Sequence, residues 1–341
     1  GLFGDWNPQL IGRNVVHADL TLAEQFPRLA FFMPDNADLV GQWKLIDIEL
    51  SPEEIRRRSA PFYLVEKSDV KRMLRPRGTF SSKADYGTAL LVAGCYGMMG
   101  AAIMAARGAL RSGLGKLTVH SPRCGFIPMQ TQVPEAMFQA DRHEIATSEV
   151  IMPHDYSAIG IGPGIGTNDL TVNALEAFLK AYDKPIVLDA DALNCIAKRQ
   201  TLLHNVPVLS IITPHAGEFD RMFGAQPNSE ARLCKAIEMA RFYNVIIVLK
   251  GHYTSIIRPD GKIYFNSSGN PGLATPGSGD VLTGIITSFL AQGYMPQIAA
   301  LLGVYVHGVA GDLAAETEGE YGITAGDIAA NVGRAIKMIM T

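Results

Sequence analysis

The residues with the most chemical content in this 341-residue chain sit at one corner, Thr275-Pro276-Gly277-Ser278-Gly279-Asp280, just before an apolar run that begins at Val281. A Gly-Ser-Gly turn opening a helix presents free backbone N–H groups, and the helix dipole adds positive potential. The corner therefore reads as an anion hole. Asp280 stands beside that hole. A carboxylate there can take a proton from a hydroxyl while the hole stabilises charge on a transferring phosphoryl group. The plainer alternative makes Asp280 only the acid favoured in a first helical turn. The concentration of special backbone in six residues argues for the phosphate reading.

Other reactive residue types follow short apolar runs. Residues 88–93 lead into Gly94-Cys95-Tyr96-Gly97-Met98-Met99-Gly100-Ala101-Ala102, a glycine loop feeding a helix. It suits either close approach of a flat ligand or close packing of helix on strand. Residues 158–161 lead into Gly162-Pro163-Gly164-Ile165-Gly166, which has neither dinucleotide-fingerprint nor Walker A spacing and by itself is a tight turn. Asp189-Ala190-Asp191 follows 186–188. A carboxylate there can hold a metal-bound water or a substrate hydroxyl, or cap a helix. Thr213-Pro214-His215-Ala216-Gly217-Glu218 follows 206–212, with His215 either a partner for a polar substrate or structural. Lys250-Gly251-His252-Tyr253-Thr254 follows 245–249. Lys250 can neutralise phosphate and Thr254 can donate to it, or Lys250 is a solvated strand end.

The elements that must position these residues alternate. Strand-like runs are interleaved with helical stretches at 100–112, 169–181 and 229–243. That rhythm predicts an α/β fold with a mostly parallel central sheet and helices on both faces. Ligands of such sheets sit at the carboxyl ends of the strands, where every motif above falls. Residues 1–50 are mixed, with short strands expected at 29–33 and 43–48. Ser51-Pro52-Glu53-Glu54 has helix-start chemistry. The charged stretch 53–77 reads as a linker with short helices. Two units are expected, 1–58 and 59–341.

Composition sets the outer bounds. Hydrophobic residues make up 48% and charged residues 18%, which excludes intrinsic disorder because so apolar a chain buries a core. With 30 basic against 33 acidic residues there is no basic excess to suggest nucleic acid or an anionic membrane. Cys95, Cys124, Cys195 and Cys234 form no C-x-x-C pair, no zinc spacing and no direct metal site; they read as reduced thiols of a cytoplasmic protein. Stretches 88–106 and 281–311 carry no Asp, Glu, Lys or Arg. Their glycines, and Gln292-Gly293 with Pro296-Gln297, break them into buried helices rather than membrane spans. The chain opens at Gly1 in turn-rich sequence, as a cut within a longer protein would.

These motifs occur in one order, with Lys83-Ala84-Asp85-Tyr86-Gly87 ahead of them. Over roughly residues 60–341 the set resembles the ADP/ATP-dependent NAD(P)H-hydrate dehydratases, of ribokinase-like fold. One departure is Ser82, where the family usually has His before the Lys of its first motif. Residues 1–50 resemble the last part of the NAD(P)H-hydrate epimerase domain that often precedes this family, and no epimerase activity is expected of such a remnant. The resemblance implies that Ala101, Gly164 and His215 contact the hydrated nicotinamide nucleotide. It implies that Lys250, Gly251, His252, Tyr253 and Thr254, with Gly277, Ser278 and Gly279, hold the adenine nucleotide. Asp280 would touch the substrate and act as base. ADP or ATP with Mg2+ would be co-substrate and cofactor, and a homo-oligomer is the family's habit.

The reaction so implied restores NADH or NADPH hydrated at ring carbon 6, through phosphorylation of the 6-hydroxyl and loss of phosphate. Two other readings compete. A ribokinase-like kinase of a small alcohol, such as a thiazole or pyrimidine vitamin precursor, would use the same Gly-x-Gly-Asp corner. The Gly-Met-Met-Gly-Ala-Ala and Thr-Pro-His-Ala-Gly-Glu segments argue against it. A non-catalytic nucleotide-binding module would be expected to lack Asp280.

Overall fold

The computed structural model describes residues 15–58, 60–151 and 155–341. Its described strands are β1 (Leu20–Glu24), β2 (Gln42–Ile46), β3 (Phe62–Val65), β4 (Thr88–Val92), β5 (Lys116–Ser121), β6 (Met137–Ala140), β7 (Ala158–Ile161), β8 (Val187–Leu188), β9 (Ile211–Ile212), β10 (Ile246–Leu249), β11 (Ser255–Ile257) and β12 (Ile263–Asn266). The α-helices are α1 (Ala37–Val40), α2 (Pro52–Arg57), α3 (Lys67–Met73), α4 (Met99–Arg111), α5 (Phe126–Gln132), α6 (Asp169–Ala181), α7 (Asp191–Lys198), α8 (Ala216–Phe223), α9 (Ser229–Tyr243), α10 (Ser278–Ala291), α11 (Pro296–Gly322) and α12 (Ala325–Met340). Helices α6 and α9 coincide with their expected ranges.

Ten strands form one sheet in the order β3-β12-β11-β10-β9-β8-β7-β4-β5-β6. From β10 to β6 every neighbour is parallel, and β11 runs antiparallel to both β10 and β12. Side chains alternate across the sheet. Leu91 joins α4, α10, α11 and α12 in one apolar layer, while Leu90 and Val92 join α6, α7, α8 and α9 in the other. A strand covered on both faces must be apolar at successive positions, which explains the uncharged run through β4.

The second uncharged stretch is α10, a turn and α11. Helix α11 is long and apolar enough to cross a membrane, but 83% of its apolar window is buried inside the fold. Helices α4 and α10 touch backbone to backbone. A Cβ added at Gly108 would lie 2.4 Å from the Val281 carbonyl oxygen, and one at Gly284 would lie 1.9 Å from that of Ala105. Only glycine permits this approach.

Three expectations change. Residues 29–33 are not a strand. Leu29–Phe32 is a 3-10 turn and a second begins at Pro34; the run is apolar because Ala30, Phe32 and Met33 are buried, not because it pairs. The strand expected over 206–212 is confined to Ile211–Ile212, since Pro207 has no N–H and Leu209 adopts φ +61°. The linker contains β3, which closes the edge of the main sheet beside β12. The expected Ser51 cap is present, its hydroxyl accepting from the Glu54 amide, and the expected run at 43–48 contributes to β2, parallel to β1. The beginning of the chain, residues 1–14, lies outside the described residues.

Candidate active site

Strands β4, β7, β8, β9 and β10 are consecutive neighbours and parallel, so their carboxyl ends bring five loops to one edge. The Ala101 and Gly164 loops meet directly. A Cβ at Gly164 would lie 2.9 Å from Ala101 Cβ and 2.8 Å from the Met98 carbonyl oxygen, and the Gly94 amide donates to Pro163 O at 2.7 Å. The Gly166 amide donates to Asp191 Oδ2 at 2.9 Å, tying this pair of loops to the end of β8.

At β8 the two carboxylates divide. Asp191 heads α7 and also accepts from Asn194. Asp189 is buried. It accepts from Lys250 Nζ at 2.9 Å and from the Thr283 hydroxyl at 2.6 Å. That pairing, rather than a helix cap, occupies the Asp189 carboxylate. It also removes the solvated-strand-end alternative for Lys250, which is held between Asp189 and Glu218 (3.6 Å). Burial opposes the Lys250 charge, but these two carboxylates outweigh it and hold the amine above its ordinary pKa.

His215 caps α8. Its Nδ1 accepts from the Gly217 and Glu218 amides, while Glu218 Oε2 accepts from the His215 amide at 2.9 Å. The ring is half-exposed, and its Nε2 lies 3.6 Å from Glu218 Oε1. His215 and Lys250 are neighbours through a parallel bridge.

The Gly277 corner forms as its residues imply. Gly277 is left-handed (φ +86°) and α10 starts at Ser278. The Ser278 amide donates to Thr275 O at 3.3 Å, and among the described residues the amides of Gly277, Gly279 and Asp280 meet no acceptor. Three free N–H groups at a helix N-terminus make an anion site. His307, on α11, supports this corner from behind. Its Nε2 lies 3.0 Å from Ser278 O and 3.1 Å from Ser278 Oγ, so it carries the proton donated to the carbonyl. Burial lowers the His307 pKa to about 4, which keeps the ring neutral. Sequence reasoning passed over His307; its signal was being the single His in an otherwise uncharged stretch.

Asp280 differs from its neighbours. No described residue donates to its carboxylate. Burial first, and then the charge of Asp189, raise its pKa to about 7; Lys250 opposes the shift, and Asp191 and Glu218 add to it. A carboxylate that titrates near neutrality and has no partner is suited to accept a proton.

A cavity of about 650 Å³ adjoins this corner, lined by Lys250, Gly251, His252, Thr254, Ser278, Gly279 and His307, with His215 at its margin. It gathers most of the residues expected to hold the adenine nucleotide. Gly277 is not among its lining residues, and of the five residues in the 250–254 loop Tyr253 alone faces only a second cavity, against the amino-terminal segment. The Lys83 motif precedes β4, and so lies at the amino end of the strand; Ser82 and Asp85 cap its 3-10 turn reciprocally. Among the described residues no three His, Cys, Asp or Glu are grouped to hold a metal ion.

This α/β architecture is that of the ribokinase-like superfamily. A family model described as NAD(P)H-hydrate dehydratase matches residues 89–334, and the chain belongs to that family. It is 41% identical over 258 residues to the ADP-dependent (S)-NAD(P)H-hydrate dehydratase of Bacillus subtilis, covering 75% of this chain and 90% of that one. It is 35% identical over 323 residues to the bifunctional NAD(P)H-hydrate repair enzyme of Moorella thermoacetica, covering 92% of this chain and 61% of that one. The chain thus spans about three fifths of the length of the bifunctional relatives it matches. The crystal structure of the Bacillus subtilis ADP/ATP-dependent dehydratase, co-crystallized with ATP/Mg2+, superposes with a TM-score of 0.72 at 34% identity, over 81% of this chain and 98% of that one.

Proposed function

We propose that this chain dehydrates the S-epimer of NADH or NADPH hydrate at the expense of ADP or ATP, with Asp280 as the general base. The observation that carries the reading is the unpaired Asp280 carboxylate, raised to about 7, beside the free amides of Gly277 and Gly279. The hydrated ring would rest on the Ala101–Gly164 contact, within reach of His215. The nucleotide would occupy the cavity between the Lys250–Thr254 loop and α10.

Hydroxide is a poor leaving group, so the hydroxyl must first be esterified. Asp280 takes the proton of the 6-hydroxyl as its oxygen bonds to the terminal phosphorus. The bond from that phosphorus to the leaving nucleotide breaks, giving AMP from ADP or ADP from ATP. The free amides at the start of α10 receive the phosphoryl charge, with His307 holding Ser278 in place. Lys250, neutralised by Asp189 and Glu218, sets the local field rather than acting as a free cation. The ring nitrogen then expels phosphate, a proton leaves the neighbouring ring carbon, and the dihydropyridine returns. Most of the catalysis is positioning.

Magnesium fits this donor set as an ion carried by the nucleotide. It would keep its bonds to phosphates and waters, with no direct protein ligand, which leaves Asp280 free as the base. Bound there, it would neutralise phosphate charge.

The same reading takes the protein as cytoplasmic and oligomeric, without nucleic-acid or membrane partners. Residues 1–58 belong to it as an epimerase-like remnant and 59–341 as the dehydratase unit. The test uses purified chain, hydrated NADH, Mg2+, and ADP or ATP. Recovery of reduced-nicotinamide absorbance only with nucleotide supports the proposal. Phosphorylation of a thiazole or pyrimidine alcohol without such recovery would replace it with the kinase reading.

A further inference from the structure

The amino-terminal segment reaches the loop assigned to the nucleotide. Trp43 Nε1, on β2, donates to the Tyr253 hydroxyl at 3.0 Å, across 210 positions of sequence. Phe32 stacks on Phe265 with centroids 4.6 Å apart and meets Tyr253 edge-on at 5.0 Å. It also meets Trp43 edge-on at 6.0 Å. Asp35 fixes the segment independently, accepting from the Ser229 amide at 2.7 Å and from the Ser229 hydroxyl. Elsewhere a cavity of about 320 Å³ lies between segment and loop, so their mutual contact is concentrated at Tyr253.

Tyr253 lies between His252 and Thr254, both of which line the nucleotide cavity. Its ring packs on His252, with centroids 4.5 Å apart. The loop is closed by the Leu249–Ser255 pairing of β10 and β11; Thr254 Oγ1 donates to Gly251 O at 2.9 Å and accepts from the Gly251 amide at 3.3 Å, the Asn266 amide donates to Thr254 O at 3.0 Å and the Lys250 amide to Pro214 O at 2.8 Å, and these bonds hold the backbone, not the Tyr253 side chain.

We infer that residues 29–46 brace this loop and that Trp43 is a positioning residue for the adenine nucleotide, acting through Tyr253. The inference rests on the reading that the Lys250–Thr254 loop holds ADP or ATP. The amino-terminal segment is then part of the nucleotide site, although it touches no nucleotide.

The full chain tests this with Trp43→Phe, which keeps an aromatic ring and removes only the N–H donor. KM for ADP or ATP should rise about 3- to 10-fold, the range of one neutral hydrogen bond. The rate at saturating nucleotide and KM for the hydrate should stay within about two-fold of wild type, by the same single-bond estimate. Tyr253→Phe should raise KM for nucleotide similarly, and the double variant should be no worse than either single one. The chain has two tryptophans, so a Trp6→Phe background leaves Trp43 as sole emitter, and its fluorescence should shift when ADP and Mg2+ are added. Unchanged nucleotide KM in Trp43→Phe, with the wild type active, overturns the brace and leaves the dehydratase reading standing. Additive effects in the double variant, or equal loss of rate at saturating nucleotide with a lowered Tm, also overturn it. Wild-type protein without nucleotide-dependent turnover overturns both.

Discussion

Asp280→Asn separates catalysis from stability at one atom. The substitution keeps size and removes the charge, so turnover should fall about 10²- to 10⁴-fold, the range for a general base. Stability should move the other way. The folded Asp280 carboxyl titrates at about 7 against an ordinary 3.8, because burial and then Asp189 oppose its ionisation. Below both values the carboxyl is neutral whether the chain is folded or not. Between them the unfolded chain releases its proton and the folded chain retains it. Wild-type stability from this group is therefore present at low pH, is lost as pH rises through the window, and stays lost above 7. A shift of about three units corresponds to an upper bound of roughly 4 kcal/mol. Relaxation and water entry reduce that to about 1–2 kcal/mol, or roughly 1–3 °C in Tm for a chain of this size. Asparagine has no such titration. Thermal unfolding of both proteins at pH 4.5 and pH 8 should show little difference at the lower pH and a more stable variant at the higher one. The wild-type kcat/KM should climb with unit slope toward an inflection near 7, which the residual activity of the variant should lack. Turnover within about ten-fold of wild type, outside the range for a lost base, would refute the assignment. A stability difference equal at both pH values would refute the electrostatic account of it.

Lys250→Met should leave the buried Asp189 with only Thr283 and cost about 3–5 kcal/mol in denaturant unfolding. It should also move the kcat/KM inflection upward, since Lys250 is the group that lowers the Asp280 pKa. His307→Gln should flatten acid unfolding. The wild-type ring is neutral when folded and titrates at about 4 against 6.5, so its contribution is complete above 6.5 and is lost as pH falls toward 4. Urea unfolding of both proteins at pH 7 and pH 4.5 checks this. Gly284→Ala should destabilise by more than about 2 kcal/mol, because its Cβ would overlap the Ala105 carbonyl oxygen and the helices must separate. A Tm within about 1 °C of wild type would contradict that packing.

Much of this was legible because the chemistry lies in backbone-rich local motifs at strand ends. Gly277-Ser278-Gly279-Asp280 specified its own turn, helix start and acid, and α6 and α9 carried Asn caps and apolar faces that set their limits. What escaped was non-local. Asp189, Lys250 and Glu218 are single residues that follow three different strands, and only the sheet order makes them one ion cluster. Strands β8 and β9 are two residues long, held by neighbours rather than by propensity. The Leu29–Phe32 run looked like a strand because burial on another element leaves the same apolar signature as pairing. The side from which Tyr253 is held depends on Trp43, which sequence reading had no means to place beside it.

The glycine crossing of α4 and α10 has a consequence for how this scaffold can change its chemistry. One helix carries Ala101 in its first turn, the other begins at the free amides of the Gly277 corner, and their backbones meet with no side chain between them to compress or rotate. In the proposed reaction the crossing would work as a fixed gauge between acceptor hydroxyl and donor phosphate. A different acceptor cannot be accommodated by sliding the helices. It must be met by exchanging the loops at their ends, which project beyond the crossing and can be redrawn without moving the gauge.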